Sequence, residues 1–291
     1  MLNTINNVLI VVRAKQWVKN LLLFLPFVAS GNQITPEIAQ TAVVGFLLFC
    51  GVASFGYILN DLRDRKLDAL HPQKKLRVQA SASFTNVQLF TIYGVLLIAT
   101  LSLSLAFLNS LEPQFYFTMV VYFVITNLYT FYFKNVPIIE MFFVASGFVF
   151  RVIAGGALFN ITISSWLLLV TAASSMFLVS VKRLAEFNIS LEASHKRVVL
   201  IKYNFQFLSA IPIMFSAISI TGYCLWAFTN VNKSILTELS TIPFAFAIMR
   251  LFLQSQKLEE SDLEDVVMKD FSILISGLIV MVSVYLGVAI K

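Results

Sequence analysis

Histidine, cysteine and charge are what this chain has least of. Only His71 and His195 stand among its 291 residues, far apart, so no histidine-built metal centre is expected. The two cysteines, Cys50 and Cys224, lie inside apolar runs and read as small core residues; they offer neither a disulfide framework nor a thiolate metal site. Charged residues make up 12% of the chain, hydrophobic ones 58%, and the mean hydropathy is +0.84. Soluble globular domains carry about a quarter charged residues, so that class is excluded. A cleavable signal peptide is not expected either: the first charges follow the first apolar patch, and no small-residue cleavage site appears. Low-complexity tracts, clear internal repeats and any soluble domain are missing as well. A single transmembrane domain over 1–291 is therefore expected, with 1–17 as an interfacial N-terminal segment. There Val, Ile and Trp17 mix with Arg13 and Lys15, the pattern of a helix lying in the membrane surface.

What is abundant is apolar run length. A span needs about 20 mostly apolar residues. Nine are predicted, at roughly 18–32, 37–59, 84–108, 114–133, 138–158, 164–181, 205–229, 235–253 and 271–290, which makes the fold an all-α bundle of nine transmembrane helices. With the N-terminus inside, 18 of the 21 basic residues fall on inner segments. Lys233 and Lys291 fall outside, and Arg151 inside a span. Positive charge accumulates on the cytoplasmic side, so the N-terminus is expected inside and the C-terminus outside. The +6 net charge is then loop charge facing the cytoplasm, and no nucleic-acid partner is implied.

One inner stretch stands out, Asn60-Asp61-Leu62-Arg63-Asp64-Arg65-Lys66-Leu67-Asp68. Its aspartates stand at i, i+3 and i+7, with Asn60 four residues before Asp64, so a helix sets all four polar heads on one face. Carboxylates that close repel unless a cation lies between them. The hard ion suited to such a face is Mg²⁺, which takes one or two carboxylates together with substrate phosphate oxygens. Interleaved Arg63, Arg65 and Lys66, and then His71-Pro72-Gln73-Lys74-Lys75-Leu76-Arg77, add the counter-charge that a polyphosphate needs. A solvated mixed-charge helix end, with Lys74 and Lys75 on anionic headgroups, is the plainer alternative.

Other polar residues fall on the same side. The second inner turn carries Tyr129 and Lys134, then Glu140. Arg151 lies three turns into the fifth span, where insertion costs roughly 2.5–3.5 kcal/mol. Either Glu140 or a bound phosphate is expected to offset it, with Gly147 leaving room on that face for a ligand. Lys182 and Arg183 close the sixth span.

Together these residues resemble a family. Nine spans with the Asn60–Asp68 stretch after the second are similar to the UbiA superfamily of membrane prenyltransferases, and within it to the decaprenyl-phosphate phosphoribosyltransferase branch. Arg13-Ala14-Lys15-Gln16-Trp17-Val18-Lys19-Asn20, His71-Pro72, Ser146-Gly147-Phe148 to Gly156, Lys182-Arg183-Leu184-Ala185-Glu186, Tyr223 to Phe228 and Glu264 to Asp270 carry the likeness further, over nearly the whole chain. The resemblance implies Mg²⁺-dependent transfer of the phosphoribosyl group of phosphoribosyl pyrophosphate to a polyprenyl phosphate, as a step toward a lipid-linked pentose donor for the cell envelope. It implies that Asn60, Asp61, Asp64 and Asp68 hold Mg²⁺ and the pyrophosphate, with the three aspartates catalytic. Lys19, Arg63, Lys75, Arg77, Tyr129, Lys134, Glu140, Arg151, Lys182 and Arg183 would bind the substrates.

Two departures from the superfamily pattern matter. The second aspartate-rich motif after the fourth span is missing, with Glu140 alone in its neighbourhood, which argues against a prenyl diphosphate with an aromatic acceptor. Arg77-Val78-Gln79-Ala80-Ser81 also replaces the usual Arg-Pro and Gly. The rival readings are a prenyltransferase proper and, in another class, a transporter. A transporter predicts charge on both faces or at mid-depth in corresponding halves, and this chain shows neither, apart from Arg151. A plasma-membrane location and a homo-oligomer complete the expectations.

Overall fold

The computed structural model describes residues 2–68, 84–190, 198–229, 234–256 and 263–290. Among them all regular structure is helical. The elements are α1 (Leu2–Val11), a 3₁₀ segment (Ala14–Phe24), α2 (Leu25–Ser30), α3 (Pro36–Asp68), α4 (Asn86–Ala106), α5 (Pro113–Leu128), a π turn (Tyr129–Phe133) and α6 (Ile139–Leu158). After these come α7 (Ser165–Ser190), a 3₁₀ turn (Val198–Lys202), α8 (Phe205–Thr229), α9 (Ile235–Leu239), α10 (Thr241–Ser255), α11 (Leu263–Lys269) and α12 (Phe271–Ala289).

The helical membrane architecture is the expected one, and among the described residues eight helices, close to the nine expected, are long and apolar enough to cross a bilayer. Their bounds, such as Ile139–Leu158 and Phe205–Thr229, follow the predicted runs closely. The remaining run, the expected first span, is broken. Pro26 has no N–H to return to Leu22, and the Leu22 carbonyl instead accepts from Leu25, a 3₁₀ pattern. Eleven 3₁₀ residues rise about 22 Å and six α-helical ones about 9 Å. Together they match the roughly 30 Å hydrocarbon thickness, so the broken element is still as long as a span.

The helices pack largely in chain order, α5 on α6, α6 on α7, α7 on α8, α8 on α10 and α10 on α12, and α12 closes the ring against α2. The 3₁₀ segment, which runs on into α2, packs against α3 and α6. Two glycines permit its closest approaches. A Cβ on Gly155 of α6 would stand 2.0 Å from the Leu23 carbonyl oxygen. Gly31, at φ +65°, ends α2 in the left-handed conformation against the Val288–Ala289 backbone of α12. A core of Leu23, Leu48, Phe49, Phe115, Met119 and Leu158 fills the space between the 3₁₀ segment, α3, α5 and α6. That core fixes the depth of every polar residue set above it.

Candidate active site

The aspartate stretch lies on α3, which continues as helix through Asp68, so the predicted common face exists in the backbone. Asn60 and Asp61 are half-buried and Asp64 is 8% exposed. The side chain of Asp68, and all of 69–83 with Lys75 and Arg77, fall outside what the structure describes. Among the described residues no three His, Cys, Asp or Glu side chains converge. The donor set is thus two carboxylates and an amide oxygen. It is all oxygen and small in number, which fits Mg²⁺, an ion that keeps several waters and substrate oxygens.

Two elements fold over this face and bring cations to it. The first is the chain around Arg13. The Trp17 indole donates to Ser54 Oγ at 3.0 Å, and Ser54 Oγ donates to the Val12 carbonyl at 2.9 Å, which pins residues 12–17 to α3 two turns before Asp61. Arg13 adopts a left-handed conformation, φ 54° and ψ 45°, at a cost on the order of 1 kcal/mol. Its guanidinium lies 5.1 Å from the Tyr57 ring centroid and grips Asp61 with two donors, Nε to Oδ2 at 2.9 Å and Nη2 to Oδ1. The second is the inner turn after α5. It opens as a π turn, a form that recurs at functional sites, with the Lys134 N–H on the Tyr129 carbonyl at 3.0 Å. This turn carries Lys134 Nζ onto Asp64 Oδ2 and places the Phe131 ring 5.4 Å from the Arg63 guanidinium. Ile138 holds φ 66° at its far end, and its N–H donates to the Tyr203 hydroxyl at 2.6 Å. Lys202 Nζ donates to the Asn135 carbonyl beside it.

Below lies the expected buried arginine, 3% exposed. Its partner is not Glu140. Arg151 Nε donates to Asn20 Oδ1 at 2.7 Å, Nη1 to the Gly147 carbonyl at 2.7 Å, and Nη2 to the hydroxyls of Tyr122 at 2.9 Å and Tyr57 at 3.4 Å. The Tyr122, Phe49 and Phe148 rings surround it at 4.9, 5.6 and 6.0 Å, and Lys19 Nζ stands 5.8 Å from the same Phe148 ring. Among the described residues no carboxylate pairs with Arg151.

Glu140, fully buried at 0% exposed, instead takes Arg183 two-pronged, Nε to Oε1 at 2.6 Å and Nη2 to Oε2 at 2.8 Å, while Nη1 reaches Glu186 at 2.7 Å. The expected Glu140–Arg151 pairing fails because the chain returns Arg183 on α7 to the first turn of α6, whereas Arg151 stands three turns deeper. The pair ties α6 to α7. Removing one partner of such a pair strands a buried charge, at a cost of about 3–5 kcal/mol. Arg183→Met is therefore expected to lower the thermal unfolding temperature in detergent sharply, and adding Glu140→Gln to recover most of the loss. Full stability in the single variant would rule out the strut. Tyr129 opens the π turn that carries Lys134, and Lys182 is half-buried one residue before Arg183.

The polar cluster therefore brings together Asn60, Asp61, Arg63, Asp64, Tyr129, Lys134, Glu140 and Arg183 at one end of the bundle, with Arg151 and Lys19 joined through Phe148. Sequence reasoning missed Asn20, Tyr57 and Tyr122 around Arg151, and Arg13 and Tyr203 above. Tyr57 had a signal, since it precedes Asp64 by seven residues and shares its helix face. A separate crevice of about 310 Å³ lies between α6, α7 and α8, lined by Phe142, Ala145, Val149, Leu169, Met176 and Phe215. It is on the side of α6 turned away from Arg151, has apolar walls, and suits hydrocarbon rather than phosphate.

A ring of membrane helices, one carboxylate face and a collar of cations make a membrane-embedded site suited to anionic ligands. The chain belongs to the UbiA prenyltransferase family, whose model matches residues 21–265. It is 31% identical over 283 residues to the decaprenyl-phosphate phosphoribosyltransferase of Mycolicibacterium smegmatis, covering 92% of this chain and 88% of the relative. To the enzyme of that name from Corynebacterium glutamicum it is 35% identical over 248 residues, 82% of this chain and 73% of the relative. The fold is similar to that of a UbiA homolog from Archaeoglobus fulgidus bound to DMAPP and Mg²⁺, with TM-score 0.69, 18% identity, and coverage of 98% of this chain and 100% of that one.

Proposed function

We propose that this integral membrane transferase moves the 5-phosphoribosyl group of phosphoribosyl pyrophosphate onto a polyprenyl phosphate and releases pyrophosphate. The observation that carries this reading within the family is Arg151, a buried guanidinium with no carboxylate partner among the described residues. A prenyl diphosphate brings one anionic end, which the metal and cations at the aspartate face would already take. A phosphoribosyl donor brings a second anion, its 5-phosphate, and the acceptor brings a third. The names of the two relatives agree with this assignment. Glu140 supports it from the other side: it is the lone carboxylate of its turn and fully buried against Arg183, so no second carboxylate cluster stands there for a metal.

Asn60, Asp61, Asp64 and Asp68 would hold Mg²⁺, which when bound neutralises the charge that develops on the departing pyrophosphate. The chain's own groups do the rest by positioning and electrostatics. Lys19, Lys134, Arg151 and Lys182 divide the 5-phosphate and the lipid phosphate between them, with Asn20, Tyr57 and Tyr122 fixing Arg151. A lipid phosphate oxygen attacks ribose C1 as the bond from C1 to the pyrophosphate oxygen breaks, inverting C1. The acceptor is already anionic, so no general base is needed, in keeping with the scarcity of histidine. Arg13, Lys19, Lys134 and Lys182 gather at the end of the bundle that the positive-inside rule assigns to the cytoplasm. The donor would enter from there while the lipid stays in the plasma membrane.

The test is transfer of label from ribose-labelled phosphoribosyl pyrophosphate to a polyprenyl phosphate in detergent, with and without Mg²⁺. An organic-extractable product that requires Mg²⁺ is expected. No product, with activity on a prenyl diphosphate and an aromatic acid instead, would keep the family and overturn the substrate assignment.

A further inference from the structure

Both described carboxylates of the aspartate face are already occupied. Arg13 covers both oxygens of Asp61, and Lys134 sits on Asp64. Neither contact is a chance meeting of exposed side chains. Each cation is delivered by a backbone feature that has no other evident purpose, the left-handed residue at Arg13 and the π turn that ends on Lys134. Each is also braced from outside the site, Arg13 by the Trp17–Ser54–Val12 chain and the Lys134 turn by Tyr203. Two carboxylates on successive turns of one helix repel, and in a part-buried setting that repulsion must be answered by positive charge.

We propose that Arg13 is a positioning residue of this site. With Lys134 it acts as a resident counter-ion that holds the carboxylates in place of the divalent cation and gives them up when metal binds. This rests on the reading of Asn60–Asp68 as a metal site. Arg13 takes both oxygens of Asp61 and Lys134 takes one of Asp64, so the two cations and a metal compete for the same carboxylates. The released guanidinium and ammonium then stand beside the metal, where the diphosphate of an incoming substrate would meet them. Metal and anionic substrate thereby favour each other's binding, and metal alone is held weakly.

The experiment is Mn²⁺ binding to the purified full-length protein in detergent without substrate, read by the electron paramagnetic resonance signal of free Mn²⁺, alongside thermal unfolding in metal-free buffer. The competitor is a charge-assisted contact, so Arg13→Gln and Lys134→Gln are each expected to bind Mn²⁺ about 10- to 100-fold more tightly than the wild type. Both should unfold at lower temperature without metal and recover on adding Mn²⁺. A purely structural ion pair predicts the reverse, weaker metal binding in a distorted site. Unchanged or weakened Mn²⁺ affinity in both variants, with Asp61→Asn losing it, would overturn the counter-ion role and leave the metal site standing. Wild-type Mn²⁺ affinity in Asp61→Asn would instead overturn the metal reading on which the proposal rests.

Discussion

Asp64→Asn is expected to lower turnover by about 10²- to 10³-fold at saturating Mg²⁺ and to leave the protein folded. The amide keeps the volume and one oxygen of the carboxylate but removes the charge, so the loss reports electrostatics rather than packing. Losing one preorganised stabiliser of developing charge typically costs that factor, near 3–4 kcal/mol of barrier. The stability side is small. The Lys134–Asp64 pair is part-buried, but asparagine keeps an oxygen for Lys134 and relieves the repulsion between Asp64 and Asp61. The two readouts should therefore separate: label transfer collapses while the unfolding temperature in metal-free detergent moves little. Asp61→Asn should behave the same way, with Arg13 as the cation left behind. Near-normal turnover in Asp64→Asn would sink the metal-assisted scheme.

The parts of this molecule that could be read in advance are those governed by local sequence. Helices such as α6 and α8 announce themselves because some 20 consecutive apolar residues admit no other structure in lipid. The face carrying Asn60, Asp61 and Asp64 follows from helical period alone. The first span was read too simply. Pro26 and the polar Gln16, Lys19 and Asn20 were visible, but their outcome depends on tertiary packing. The 3₁₀ geometry is held by Leu23 against Gly155 and by Asn20 against Arg151. Partner choice was not legible either. Arg13 meets Asp61 across 48 residues, Lys134 meets Asp64 across 70 and Arg183 meets Glu140 across 43. No local pattern encodes separations of that kind, so of the two partners expected for Arg151, Glu140 or a bound phosphate, the one on its own helix is taken instead by Arg183.

The two buried arginines have opposite expected behaviour, and Arg151→Met is the sharper probe. Arg183 sits between carboxylates and supports the fold. Arg151 has none among the described residues, and at its depth a guanidinium costs roughly 2.5–3.5 kcal/mol on insertion scales. Methionine of comparable length removes that cost. What it strands are neutral acceptors, Asn20 Oδ1 and the Tyr57 and Tyr122 hydroxyls, at about 1–3 kcal/mol for each that finds no other partner. The two tyrosines keep rotatable hydroxyls and can rebond, so the terms nearly cancel. Replacing a buried charge by a well-packed apolar residue is often neutral or stabilising. Arg151→Met is therefore expected to unfold within a few degrees of the wild type while losing at least 10²-fold in kcat/KM for the phosphoribosyl donor. Part of that loss should be a raised donor KM, because the 5-phosphate loses its counter-charge before the chemical step as well as during it. A stability loss as large as that of Arg183→Met would make Arg151 a strut like its neighbour. Wild-type donor kinetics in a stable Arg151→Met protein would remove the 5-phosphate from this site, and with it the main structural reason for preferring a phosphoribosyl donor to a prenyl one.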